Sequence, residues 1–383
     1  MAYMPKYPDM AEVPASFVIF QEGGYVKRYN CSKHRVDDQG TDAATVINNA
    51  ITSTYNAGGG IVHLKPATYV CNSRLYMNNN VELEGEGYGT ILKARDGLNT
   101  YLILIDSKYG CKIRNLQLDG NKANQTSDTY GVFITGAGSY DNVIEGCYIH
   151  DFRLNGIEIY ASAYKNVVRN NRIESNGVDY LDGWCVYLGD SAVDNIVTLN
   201  RLTSNPGKGS IDMGQNCRRN IVTKNVIYDG GVRSQCGIML YNGATENIVK
   251  ENVIVSTYAW ASDQFWFGIE VYTNSLRNIV EGNQIYVNNR GAGRPAGIQL
   301  DTGSHRNVIG GNSVYGGYYG IILISDCDRN NVSDNIVESC SRGIYIDATT
   351  EENNLIANNI LYNNTTPIVN NGTGTVLDNN VTT

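Results

Sequence analysis

A five-residue unit of alternating character recurs along the chain: GIEIY at 156–160, CVYLG at 185–189, SIDMG at 210–214 and GIMLY at 237–241. It continues as GIEVY at 268–272, GIQLD at 297–301, GIILI at 320–324 and GIYID at 343–347. The second and fourth residues of each unit are apolar, while the third and fifth vary. That is the period of a β-strand with one buried face. The prevalence of Ile and Val at the apolar positions suits sheet packing. After each unit come a turn and a segment of the form N-[IV]-V-x-x-N-x-I. Asn166, Asn195, Asn220, Asn247, Asn278 and Asn307 form one column, and Asn171, Asn200, Asn225, Asn252, Asn283, Asn312, Asn335 and Asn358 a second. The repeat runs from 23 residues (307 to 330) to 31 (247 to 278), which predicts a parallel β-solenoid of roughly ten coils. Asn at these places suits left-handed turn geometry and amide bonding from coil to coil.

Ahead of the repeats, Thr41 or Asp42 can cap a helix whose apolar stripe is Ala43, Val46, Ile47, Ala50 and Ile51, ended by Gly58-Gly59-Gly60. The chain thus divides into an N-terminal lead-in at 1–40, a capping helix at 41–60 and an all-β solenoid at 61–383. The helix would plug the open end of the solenoid, covering strand edges otherwise left unpaired.

The Asn-punctuated coils resemble the pectate-lyase-like superfamily of right-handed parallel β-helices, including the repeats called NosD-like. The resemblance covers roughly residues 60 to 383 and implies a single-stranded right-handed solenoid. It also implies that the Asn turn lies between the second and third strands of a coil. The G-I-x-I-x strands then form the first sheet, where relatives carry their active sites. Such repeats serve lyases, hydrolases, epimerases, phage tailspikes and non-catalytic proteins. The N-T-D, D-D, G-H-G and R-I-K motifs of polygalacturonases and the D-P-H-E segment of alginate epimerases are absent.

On that sheet the outward third positions read Phe133, Glu158, Tyr187, Asp212, Met239, Glu270, Gln299, Ile322 and Tyr345. Glu158, Asp212 and Glu270 are the expected catalytic groups. Each neighbouring pair is two coils, about 9.6 Å, apart, near the upper end of an inverting glycosidase's carboxyl separation. Tyr160, Tyr187, Tyr241 and Tyr272, with Trp266, Gln299 and Asp301, are the expected substrate contacts, because sugar rings stack on aromatic faces. The loops at 176–184 and 256–267, the latter with Tyr258, Trp260 and Asp263, are candidate groove walls. No Lys or Arg is expected at the outward positions, which argues against β-elimination on uronic acids. The function expected is therefore a polysaccharide-degrading glycoside hydrolase acting within a long glycan, with a phage tailspike-type depolymerase as the form that both ends of the chain suit. A lyase or epimerase with a loop-borne base, and a carbohydrate-binding or structural β-helix without catalysis, stay as alternatives.

Composition narrows the partners. A net charge of −8 without a Lys/Arg-rich run excludes a nucleic-acid footprint. No apolar run reaches membrane-span length. The nine scattered cysteines read as reduced, packed thiols, and neither a metal nor a cofactor is expected. The N-terminus lacks a signal-peptide core, so an extracellular or virion-associated location is expected with a leader removed or a different exit route. Ile322 and Ile324, both outward, predict an apolar contact and a homo-oligomer, with a trimer favoured.

Overall fold

The computed structural model describes residues 15–178, 183–203, 207–229, 236–256, 266–288 and 293–383. They form a right-handed parallel β-solenoid of about eleven coils, each contributing one strand to each of three sheets. The first sheet has 12 strands and holds the G-I-x-I-x units, from Leu75–Tyr76 to Thr366–Asn370. The second has 16 and the third 13, all parallel within the solenoid. At the N-terminal end, Phe17–Glu22, Tyr25–Asn30 and Arg35–Gly40 pair antiparallel with one another, and Phe17–Glu22 joins the second sheet beside Gly60–Leu64.

Helix α1 (Ala43–Asn56) starts where Asp42 accepts from the backbone N–H groups of Ala44 and Thr45. Its stripe of Ala43, Val46, Ile47, Ala50 and Ile51 is buried against the first coils. The helix thereby closes the apolar interior at that end.

The core follows from the alternation. Ile157, Ile159, Ile211, Met213, Ile269, Val271, Ile298 and Leu300 all point into the solenoid and have no solvent exposure. The glycines that open most G-I-x-I-x units are required by close packing. A methyl group at Gly268 would stand 2.5 Å from Ile285 Cγ2 and 2.6 Å from the carbonyl oxygen of Gly297.

Both Asn columns are hydrogen-bonded ladders. The Oδ1 of Asn195 accepts from the backbone N–H (2.9 Å) and the Nδ2 (3.0 Å) of Asn166 in the preceding coil. Its own Nδ2 donates to Asn220 Oδ1 (3.0 Å) and to the Ala163 carbonyl (3.1 Å). Every polar atom of the amide is thus satisfied inside the protein. The left-handed residue is the one before the ladder Asn, as at Asp194 (φ 57°) and Arg219 (φ 54°). The same offset corrects one expected rung: Asn358 takes φ 55°, and Asn359 continues the second ladder from Asn335. The first ladder extends to Asn142, Asn330 and Asn354.

The ladders fix the length of one corner and nearly fix a second. Successive ladder positions are five residues apart, as in 166 to 171, 247 to 252 and 330 to 335. From the first inward residue of the first-sheet strand to the next ladder Asn is nine residues at 157 to 166, 211 to 220, 269 to 278 and 321 to 330, and ten at 132 to 142 and 344 to 354. Most of the variation in coil length falls in the segment that leads from the third sheet into the first.

Ile322 is only 5% exposed, so the expected exposed aliphatic pair is not present on the first sheet. Neighbouring side chains cover it, and Ile324 is half-buried. A run of larger exposed apolar groups lies on the third sheet, including Tyr286, Tyr315, Ile336, Ile360 and Tyr362.

Candidate active site

Backbone pairing places the third-position residues in one row along the outside of the first sheet. Phe133 lies beside Glu158, Glu158 beside Tyr187, and Tyr187 beside Asp212. The row continues through Met239 to Glu270 and Gln299. Although they point away from the core, Glu158, Asp212 and Glu270 are only 7%, 4% and 6% exposed. This face is a covered, low-dielectric surface rather than a solvated one.

Its cover is partly aromatic. Trp184, Cys236 and Met239 form an apolar cluster separate from the main core, with Tyr187, Tyr241 and Phe267 packed against it. Glycines let the rings lie flat on the sheet. A methyl group at Gly209 would stand 2.1 Å from Trp184 Cζ3, and one at Gly189 would stand 2.3 Å from Tyr187 Cε1. Gly214 approaches the Tyr187 hydroxyl in the same way, at 2.9 Å. Tyr241 and Tyr272 stack on adjacent rungs with centroids 5.5 Å apart, and Tyr160 lies against Phe133 at 6.2 Å. Tyr160, Tyr187, Tyr241 and Tyr272 therefore border the three carboxyl groups, as the alternation predicts.

Burial sets the electrostatics. It pushes the Glu158 carboxyl up to about 7, against the opposing effect of the Asn155 amide, which donates to Oε2 at 2.7 Å. The other end of Asn155 is fixed, since its Oδ1 accepts from the Trp184 backbone at 2.8 Å. Asp212 is pushed up to about 8 by burial, opposed by the Lys208 ammonium and reinforced by Glu270. Its Oδ1 has no hydrogen-bond partner among the described residues. Glu270 also rises to about 8, by burial and then by Asp301, with Lys208 opposing. Burial, followed by Asp212 and Glu158, raises the Tyr187 phenol as well. Gln299 Nε2 donates to Asp301 Oδ2 (3.1 Å) and reaches Glu270 Oε1 (3.5 Å), so these two residues adjoin the acid cluster.

Two expectations change. Trp266 is fully buried in the main core, not in the groove. It immediately precedes the outward Phe267, and strand alternation turns it inward. The expectation of no basic residue on the outward face also fails, because Arg342 opens the strand Arg342–Ile346 and pairs with Tyr319 in an outer column. Lys208, just before Gly209, lies with Nζ 6.0 Å from the Tyr241 ring and acts on both Asp212 and Glu270. Both basic residues sit at strand starts, ahead of the third and fifth positions on which the alternation is most legible. Tyr258, Trp260 and Asp263 fall outside the described residues.

The chain matches the family model described as "Right handed beta helix region" over residues 101–285, and that described as "Periplasmic copper-binding protein (NosD)" over 215–383. Among the described residues the donors do not fit a copper centre. Eight of the nine cysteines are buried, and those with a resolved shift have thiols raised by burial. Among the described residues the one cluster with metal-ligand geometry is Asp119, His150 and Asp151. Lys93 pairs with Asp119 (3.0 Å), and both ring nitrogens of His150 are engaged, by Asp151 and Gln117.

Mannuronan C5-epimerases AlgE1 and AlgE4 of Azotobacter vinelandii are 30% and 29% identical over 43% and 41% of the chain. The aligned regions amount to 13% and 32% of those two proteins. Among solved structures, the A-module of Azotobacter vinelandii epimerase AlgE6 superposes with a TM-score of 0.67 at 18% identity, covering 89% of this chain and 95% of that one. The tailspike of E. coli bacteriophage HK620, solved with a pentasaccharide, gives 0.61 at 16% identity, covering 86% and 63%. These likenesses establish architecture. With the repeat pattern, the three-sheet solenoid and the two matching family models, the chain has the right-handed parallel β-helix fold, pectate-lyase-like in architecture and with repeats that match NosD.

Proposed function

We propose that this β-helix acts on a polysaccharide laid along its first sheet and hydrolyses an internal glycosidic bond between Asp212 and Glu270. The observation that carries the reading is the row of buried carboxyl groups bordered by aromatic rings. Their neighbours also divide the labour. At Asp212 the largest neighbouring influence is the Lys208 ammonium, which favours the carboxylate, so Asp212 is the member of the pair that serves as base once it ionises, towards pH 8. At Glu270 it is Asp301, a like charge that keeps the proton in place and suits the acid. Two coils, about 9.6 Å, separate the pair, which matches an inverting geometry. Tyr241 and Tyr272, stacked one rung apart, offer faces to the sugar rings between them.

A second reading is favoured by Lys208 itself. A lysine beside buried carboxyl groups could abstract a sugar C5 proton, as an epimerase or lyase requires, and the curated relatives are mannuronan C5-epimerases. One experiment separates the two. The protein is incubated with a panel of bacterial, algal and plant polysaccharides, following reducing ends, ultraviolet absorbance of unsaturated products, and the NMR signature of C5 inversion. New reducing ends without unsaturation support hydrolysis. Unsaturated or inverted products reject it in favour of the second reading, and no change in any polymer leaves binding alone.

A glycan substrate goes with action outside the cell or on a virion. Association into a homotrimer would use the third sheet, where Tyr286, Tyr315 and Tyr362 are 44%, 47% and 53% exposed. A sedimentation profile of monomers only, at micromolar protein, would remove that part of the reading.

A further inference from the structure

Beyond the carboxyl groups, the same face carries a group of guanidinium and tyrosine side chains with no role in the proposed chemistry. Arg342 lies over three rings, those of Tyr345 (4.5 Å), Tyr318 (5.7 Å) and Tyr319 (5.7 Å). Arg294 lies over the other side of this group, 5.4 Å from the Tyr318 ring. Tyr318 and Tyr319 meet edge to face at 4.7 Å, and Tyr319 contacts Tyr345 at 5.2 Å. Backbone pairing places Arg342 and Tyr319 in one outer column and Tyr345 in the row that holds Glu270. The group begins one coil beyond Glu270 and ends three coils beyond, at about 5 to 14 Å along the axis.

Neither arginine forms an ion pair among the described residues. The groups acting on Arg342, besides burial, are tyrosines. The nearby carboxylate, Asp347, is instead held by the Tyr345 hydroxyl at 2.9 Å. Arg342 spends one N–H on the Tyr345 hydroxyl, and a guanidinium stacked on rings keeps its remaining N–H groups available to bind an anion in the plane of the stack, with the rings restricting its rotation. In a chain of net charge −8, two such cations on the substrate face are a local exception to a field that repels anions.

We propose that Arg294 and Arg342, held by Tyr318, Tyr319 and Tyr345, form a subsite for an anionic group of the glycan, a sugar carboxylate or a sulfate ester. This rests on the first sheet being the glycan-binding face and extends it to the class of glycan. The subsite selects a chain that carries negative charge a short way beyond the reacting bond.

The test measures binding by calorimetry at low salt. The probes are hexasaccharides of polymannuronate and polygalacturonate with their carboxyl-reduced counterparts, and a sulfated galactan hexasaccharide with its desulfated form. The wild-type protein is expected to bind at least one acidic chain roughly tenfold more tightly than its neutral form, a preference that shrinks with salt. Whether the uronate or the sulfate pair shows it identifies the anion. The Arg294→Gln/Arg342→Gln double variant should lose the preference, keep its affinity for the neutral chain and melt within a degree or two of wild type. Arg342→Lys in the Arg294→Gln background should regain part of it, because charge returns without the fork. Equal affinity for acidic and neutral chains in all three pairs overturns the proposal, as does a double variant that keeps the preference. Asp212→Asn serves as the cross-check. If it turns substrate over normally while the arginine effect persists, the catalytic assignment fails and the subsite stands.

Discussion

Replacing Asp212 with Asn should separate the cost of holding this group from its use. The carboxyl is 4% exposed, its Oδ1 lacks a partner, and burial lifts it from an ordinary 3.8 to about 8. Because the folded state holds the proton more tightly than the unfolded chain, the stabilising preference is complete below pH 3.8. It is lost progressively as pH climbs to about 8. Each pH unit in that window removes about 1.4 kcal/mol, so at pH 7 the acid costs about 4 kcal/mol relative to its protonated state. Asn cannot ionise, and its slope from this position is zero. Between pH 5 and pH 7 wild type should therefore lose about 2.7 kcal/mol that Asp212→Asn keeps. With about 2 cal/mol/K of unfolding entropy per residue, that is roughly 3 °C in Tm for a chain of this length. The assay is thermal unfolding followed by circular dichroism at pH 5, 6, 7 and 8 for both proteins. The unpaired Asn amide lowers its curve by a constant amount, about 1–3 kcal/mol, without changing its slope. Parallel curves for the two proteins would refute the claim that the folded state keeps Asp212 protonated near neutrality. Turnover on a confirmed glycan should meanwhile drop by several orders of magnitude.

Further outcomes follow from the same geometry. Glu270→Gln should abolish hydrolysis, while Glu338→Gln on the third sheet should leave it intact, as read by reducing-end release. Turnover of the wild type should peak near pH 8, falling on the acid side as Asp212 takes up a proton and ceases to be a base, and on the alkaline side as Glu270 gives up the proton it must donate; a profile flat to pH 10 would remove Glu270 as the acid. Gly189→Ala should raise KM more than it lowers Tm, because the added methyl displaces the Tyr187 ring on the groove face rather than the core. Asn225→Ala should cost about 3 kcal/mol, roughly 4 °C in Tm, by leaving the Asn200 amide and the Val197 carbonyl unpaired. Asn380→Ala, on the half-buried last rung, should cost about 1 kcal/mol by the same measurement.

The row from Phe133 to Tyr345 was legible in the sequence because strand alternation leaves one parity for the outside, and the five-residue spacing of the two ladders keeps the coils in register. The Asp42 cap and the helix stripe were legible for an equally local reason. What escaped was the burial of Glu158, Asp212 and Glu270, which depends on side chains from other coils lying down across them. Gly189, Gly209 and Gly214 carry a trace of this, since a column of missing side chains beside a ring is where the ring can rest. Trp266 was misplaced because its aromatic neighbours suggested a groove wall, whereas its parity relative to Phe267 decides the matter. Lys208 and Arg342 stand at strand entrances, where a side chain's direction depends on the turn before it and the repeat gives little warning.

The constant spacing of the two Asn ladders has a consequence for how such a protein can change. A residue inserted between the two ladders would shift an amide off its rung and break the bonds above and below it, whereas the corner ahead of the first ladder takes one extra residue at 132–142 and 344–354 without losing its rung. The connections from the third sheet to the first differ most in length, so lineages can lengthen, shorten or exchange the segments there without retuning the ladders. In sequence those segments lead straight into the first-sheet strands that carry the acids and Arg342. Variation in this molecule is thereby channelled to the one edge where it alters which chain is grasped, and a designer could graft new recognition loops there coil by coil.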